Sequence, residues 1–76
     1  QLLLRDHGIF VSLRSAIGRT LTRPVTPYPP GIPLFWPGES LTEQDIACLE
    51  LFLSAGLELQ GIRWDDGEYK VGVLPR

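Results

Sequence analysis

The stretch TLTRPVTPYPPGIPLFWPG, Thr20 to Gly38, holds six of the chain's seven prolines: Pro24, Pro27, Pro29, Pro30, Pro33 and Pro37. Proline at this density forbids a helix and removes the donors that a central strand needs. The residue before each proline is pushed toward extended backbone. Pro30-Gly31 and Pro37-Gly38 suit turns with glycine at the position of positive φ, and Ile32 to Trp36 between them reads as a short extended segment. The stretch is therefore expected to be a rigid, extended loop with two turns. Val25, Tyr28, Ile32, Leu34, Phe35 and Trp36 make it too apolar for a solvated linker.

The elements on either side follow from local signals. Thr42 with Asp45 resembles a capping box, and Glu43 and Asp45 suit a positive helix start, so a helix is expected over 42–55 with Gly56 as its stop. Ile46, Leu49 and Leu53 share one stripe, and Ala47, Leu51, Phe52 and Ala55 widen it. A helix this apolar is expected to pack on two sides, the second facing another domain or subunit. Residues 57–74 read as a β-hairpin. Gly61 is its candidate bulge, Asp65-Asp66-Gly67 its turn, and Tyr69, Val71 and Val73 give clean alternation. Upstream, Leu13 to Ile17 suits a short helical turn, with Ser12 as cap and Gly18 as stop. Ile9-Phe10-Val11 reads equally as a short strand.

Length and composition narrow the class. Seventy-six residues, 43% of them hydrophobic, make one small domain with a single core. One cysteine excludes a disulfide framework, and no apolar run reaches the roughly 18 residues of a membrane span. Arg5 and Asp6 interrupt Leu2-Leu3-Leu4, so no signal peptide is expected. The chain has no methionine, and Gln1 reads as a cut boundary, which makes a piece of a longer polypeptide the expectation.

A net charge of −2 argues against nucleic acid. The charge is uneven. Residues 1–38 carry Arg5, Arg14, Arg19 and Arg23 against Asp6 alone, whereas residues 39–76 carry Arg63, Lys70 and Arg76 against eight acids. The acidic half reads first as a solvated face.

Chemistry-bearing residues are few. His7 and Cys48 are the only histidine and cysteine, too few for a metal site built on those ligands. Cys48 lies among Ala47 and Leu49, where a thiol behaves as a small hydrophobe. Pro24, Pro27, Pro30 and Pro33 recur every third residue, the period of a polyproline helix. One reading of 24–37 is thus a docking ligand for a domain that reads such helices, a non-enzymatic interaction module. The stronger reading is a wall packed on its own domain through Tyr28, Ile32, Phe35 and Trp36.

Tyr28-Pro29-Pro30-Gly31-Ile32-Pro33, then Pro37-Gly38-Glu39, then Leu41-Thr42-Glu43, resembles the C-terminal domain of the ornithine/lysine/arginine decarboxylases. Ala16-Ile17-Gly18-Arg19 upstream and Gln60-Gly61 downstream are also similar, so the resemblance covers residues 11–62. Phe35-Trp36 is bulkier than the aliphatic pair expected there. The resemblance implies a compact α+β domain with one main helix, a C-terminal hairpin and a proline-rich extended loop. It implies that residues 1–76 are the C-terminal domain, or a fragment, of a pyridoxal-phosphate (PLP) enzyme that decarboxylates a basic amino acid. The implied partners are the large PLP-binding domain of the same enzyme and, through it, a second copy. The implied location is cytoplasmic.

The resemblance also implies that the cofactor lysine sits elsewhere, in a Ser-x-His-Lys context. The sole lysine here, Lys70, follows Tyr69, so this chain is expected to hold no catalytic residue and no cofactor by itself. A basic substrate needs an acceptor for its distal cation. Glu39, aimed by the Pro37-Gly38 turn, is the first candidate for a place at the active-site entrance, and Tyr28 is the second. Their simpler roles are favouring the following helix and packing on Pro29 and Pro30. Arg19 is expected to be a structural pin paired with an acid across the domain. A parent that has lost its activity remains a third reading.

Overall fold

The computed structural model describes residues 8–28 and 31–75. His7, the run Leu2-Leu3-Leu4, and Pro29 and Pro30 of the proline motif lie outside the described residues.

The helix α1 spans Glu43–Ser54. Its start is the reciprocal box read from sequence. The Asp45 amide donates to Thr42 Oγ1 at 3.0 Å, and the Thr42 amide donates to Asp45 Oδ2 at 2.9 Å. At the other end Gly56 takes φ +88°, its amide donates to the Leu53 carbonyl, and the Leu57 amide donates to Phe52. That pair of bonds is a Schellman closure, which needs a left-handed residue at Gly56. Within this chain the helix packs on one side. Ile46 and Leu49 are fully buried, whereas Ala47 and Ala55 are exposed and Leu51 is 66% exposed.

Strands β1 (Ile9–Ser12), β4 (Ile62–Asp65) and β5 (Glu68–Val73) form an antiparallel sheet in the order β1-β5-β4. The β4–β5 turn is Asp66-Gly67 with φ +55° and +79°, positive at both central positions as a type I′ turn demands. Both readings of the N-terminal segment are formed, the strand over Ile9–Ser12 and a short helical turn over Arg14–Ala16. Ser12 is not a helix cap: it closes β1, and its hydroxyl donates to Ser15. The short 3₁₀ turn Arg14–Ala16 starts after Leu13 with no side-chain cap, and Gly18 follows it at φ +81°.

The expected single hairpin over 57–74 is in fact two pieces. Leu59–Gln60 forms β3 and pairs with β2 (Thr26–Pro27) of the proline stretch in a second, two-stranded sheet. The break is at Gly61, φ +96°, where the chain leaves β3 and enters β4. Beyond that point residues 20–22 replace β4 as the neighbour of β5: the Thr22 amide donates to the Gly72 carbonyl at 3.0 Å and the Leu74 amide to Thr20 at 2.9 Å.

The helix and the two sheets share one core. Leu21, Val25, Leu41, Ile46, Leu49, Val71 and Val73 are fully or almost fully buried, with Leu13, Ala16 and Leu59 beside them. Among the described residues no helix is long and apolar enough to cross a membrane.

Candidate functional site

The proline stretch folds back on itself as an irregular hairpin. At its base the Leu21 amide donates to the Glu39 carbonyl and the Gly38 amide to Leu21, both at 2.8 Å. Further out, the Val25 amide donates to Phe35 and the Leu34 amide to Val25. Trp36 to Glu39 is a turn closed by the Glu39 amide on the Trp36 carbonyl at 3.2 Å, with Pro37 second and Gly38 third at φ +94°. Proline followed by left-handed glycine is the type II pattern. Backbone bonds therefore set this loop from both sides, and its side chains are left to face outward.

Outward is where most of them go. Of its apolar residues Leu21, Val25 and Phe35 join the core. Tyr28 is 57% exposed, Trp36 53% and Ile32 82%, and Leu34 is also exposed. The wall expected to pack on its own domain thus packs there through Phe35 alone. Leu21 and Val25, alternating on the inner strand, already fill the space above α1, so the outer face has nothing to cover.

Glu39 sits at the base of this hairpin, exposed, and its carboxylate has no hydrogen bond or ion pair among the described residues. The acids in the first turn of α1 are Glu43 and Asp45, so Glu39 is not the one that favours the helix. Tyr28 lies toward the tip, its amide donating to the Glu58 carbonyl at 2.9 Å. The two candidates share one loop but stand at its opposite ends. Gly31 and Pro33 belong to the tip, Pro37 and Gly38 to the base turn. Among the described residues Arg19 pairs with no acid. Its Nη2 donates to the Leu74 backbone carbonyl at 2.9 Å, which ties the loop base to the end of β5. The carbonyl wins because Leu74 runs beside Thr20 in the sheet, whereas no carboxylate of the described residues lies there.

The residues present do not fit a PLP site. The Lys70 ammonium is bound to Asp65 Oδ2 at 3.3 Å on the outer side of the β4–β5 hairpin, and the sequence around it lacks the Ser-x-His-Lys pattern. No reaction step is assigned to this chain.

Two features escaped the sequence reading. A groove of about 570 Å³ runs between the C-terminal half of α1 and the β4–β5 hairpin, walled by Leu53, Trp64 and Tyr69. Trp64 and Tyr69 face each other across the strands edge to face, ring centroids 4.8 Å apart. Arg14 crosses one end with both donors on Glu50, at 3.1 and 2.7 Å. The second feature lies on the opposite face of the sheet, where Arg63 and Arg23 both approach the Phe10 ring. Positions 64 and 69 are symmetric about the turn, so that pair was legible. The Phe10 cluster joins three distant segments and left no local signal.

Comparison with known proteins points in one direction. A family model described as the Orn/Lys/Arg decarboxylase, C-terminal domain, matches residues 1–60. The arginine decarboxylase of Bacillus subtilis is 47% identical over 51 residues, which is 67% of this chain and 10% of that protein. The constitutive lysine decarboxylase of Escherichia coli is 36% identical over 75 residues, 84% of this chain and again 10% of the relative. The solved structure of the E. coli constitutive lysine decarboxylase superposes on 96% of this chain and 12% of its own, with a TM-score of 0.75 at 30% identity. The chain thus spans about a tenth of the length of the relatives it matches.

Proposed function

The chain belongs to the Orn/Lys/Arg decarboxylase C-terminal domain family, and from that premise we propose that it packs against the large domain of a PLP-dependent basic amino acid decarboxylase and shapes the entrance to its active site. The observation that carries this is the proline hairpin. Tyr28, Ile32, Leu34 and Trp36 hold large apolar surface in water while backbone bonds on both sides fix the loop that bears them. An exposed apolar patch on a rigid support is the form of a surface made for another protein surface. The relatives, about ten times longer, supply the polypeptide that would cover it.

In this reading PLP and its lysine belong to the large domain and the chemistry is the cofactor's. This domain positions and closes. Glu39 faces the entrance and accepts the distal cation of the substrate, Tyr28 lines the approach, and the assembly is a homo-oligomer. The parent is proposed to be cytoplasmic, a location that the free thiol of Cys48 suits. The relatives include decarboxylases of both arginine and lysine. The substrate is accordingly proposed only as a basic amino acid.

A docking ligand for a polyproline reader is the weaker alternative. Tyr28 is accessible, but Pro27 is paired with Leu59 in the β2–β3 ladder, and Pro24, Pro33 and Pro37 are half-buried. A polyproline ligand presents a free, solvated backbone.

The test uses the full-length decarboxylase. Ile32→Ser combined with Trp36→Ser is expected to lower kcat/KM tenfold or more, or to dissociate the oligomer seen by sedimentation. Unchanged kinetics and unchanged mass would remove the hairpin from both roles. Glu39→Gln separates the residue from the loop: an unaltered kcat/KM for ornithine, lysine and arginine would take Glu39 out of the site.

A further inference from the structure

On the sheet face that points away from α1, three segments meet over a glycine. Phe10 of β1 stands opposite Gly72 of β5, and a Cβ on Gly72 would lie 3.6 Å from Phe10 Cζ and 3.5 Å from Arg23 Cδ. Those two are ordinary contacts; the tight neighbour of that Cβ is Thr22 Oγ1 at 2.9 Å, so the glycine makes room for Thr22 beside the ring. The Arg63 guanidinium of β4 sits 3.8 Å from the ring centroid, and that of Arg23 5.2 Å. Each is within the reach of a cation–π contact. Phe10, Arg23 and Arg63, with Gly61 and Ile62, line a notch of about 140 Å³.

The electrostatics of the notch are unbalanced. Among the described residues neither guanidinium is bonded to a carboxylate, whereas Arg14 is held by Glu50 and Lys70 by Asp65. Two like charges are thus gathered on one ring. A ring quadrupole attracts each cation but does not cancel their repulsion, and a shared anion does. The molecule is acidic as a whole, yet at ordinary salt an ion senses charge within a Debye length of about 10 Å, so the local pair governs.

We infer that the notch between Arg23 and Arg63 binds a phosphate-type oxyanion. A dianion matches the two positive charges, which a single carboxylate does not. The planar forks of two guanidiniums supply parallel donors to its oxygens, and a volume of about 140 Å³ admits one such group. Phe10 holds both side chains in place beforehand, which lowers the ordering cost of binding. Arg23 stands on the inner strand of the proline hairpin, but the site uses none of the exposed apolar residues on which the proposed function rests.

The experiment is a titration of the 76-residue chain with inorganic phosphate at constant ionic strength, read on the arginine Nε–H resonances. The expected result is a saturable shift of Arg23 and Arg63, with Arg14 unmoved because Glu50 occupies its donors. Arg63→Gln should weaken binding roughly tenfold or more, the scale of a lost charged hydrogen bond. Arg63→Lys should weaken it as well, because the charge remains but the fork is gone. Methyl phosphate as a second probe separates the sources: equal affinity means the notch takes the phosphate end of a larger molecule, and binding of inorganic phosphate alone means a free ion. Shifts that do not saturate at tens of millimolar, that move Arg14 equally, or that survive Arg63→Gln would overturn the inference.

Discussion

Gly61 takes φ +96°, and a Cβ there would overlap the backbone carbonyl oxygen of Pro24. Gly67 also has positive φ, but nothing stands within 4 Å of the place its Cβ would occupy. The two glycines separate conformational strain from strain with a clash. Gly67→Ala should cost about 1 kcal/mol from strain alone. Gly61→Ala should cost about 3 kcal/mol, since backbone must also move. Urea denaturation followed by circular dichroism measures both, and equal losses would show that the Pro24 contact gives way freely. The sequence marked Gly61 as a break in alternation. It held no sign that the obstacle is Pro24, because that contact arises only when β3 pairs with β2.

At the scale of the element, α1 is the part most fully written in local sequence. Thr42→Ala removes one reciprocal cap bond and should lower stability by about 1 kcal/mol, read as a shift in the urea midpoint at unchanged slope. Leu49→Ala should cost about 2–5 kcal/mol, comparable with the roughly 3–5 kcal/mol expected of a whole domain this small, and should leave the isolated chain largely unfolded. Leu51→Ala, two residues on, should stay within about 0.5 kcal/mol. Leu49 and Leu51 are the same residue type in one helix. Periodicity put Ile46 and Leu49 on the inner stripe, but the surrounding apolar residues suggested a second covered face that this chain does not supply.

For the molecule as a whole, the exposed apolar residues of the proline hairpin, Tyr28, Ile32, Leu34 and Trp36, lie outside the chain's own core. Ile32→Ser with Trp36→Ser should therefore leave the melting temperature of the 76-residue chain almost unchanged, whatever it does to the full-length enzyme. A large loss in the isolated chain would mean that the loop packs on its own domain after all. Glu39's place beside the Pro37-Gly38 turn was legible because proline and glycine constrain their own φ. Its separation from Tyr28 was not, since it depends on how the hairpin bends between them.

The sequence by itself determined the helix and both its caps, the two-residue turn of the β4–β5 hairpin and the family resemblance. Each rests on residues a few positions apart, where sterics and single hydrogen bonds decide. Only the tertiary structure decided that Leu59 leaves the hairpin for the proline stretch, that Arg19 binds a carbonyl rather than an acid, that Tyr28, Ile32 and Trp36 face outward, and that Phe10, Arg23 and Arg63 converge. Those outcomes depend on which distant segments compete for one sheet edge and one core, and the winner is set by pairing and volume across the whole chain rather than by any stretch of it.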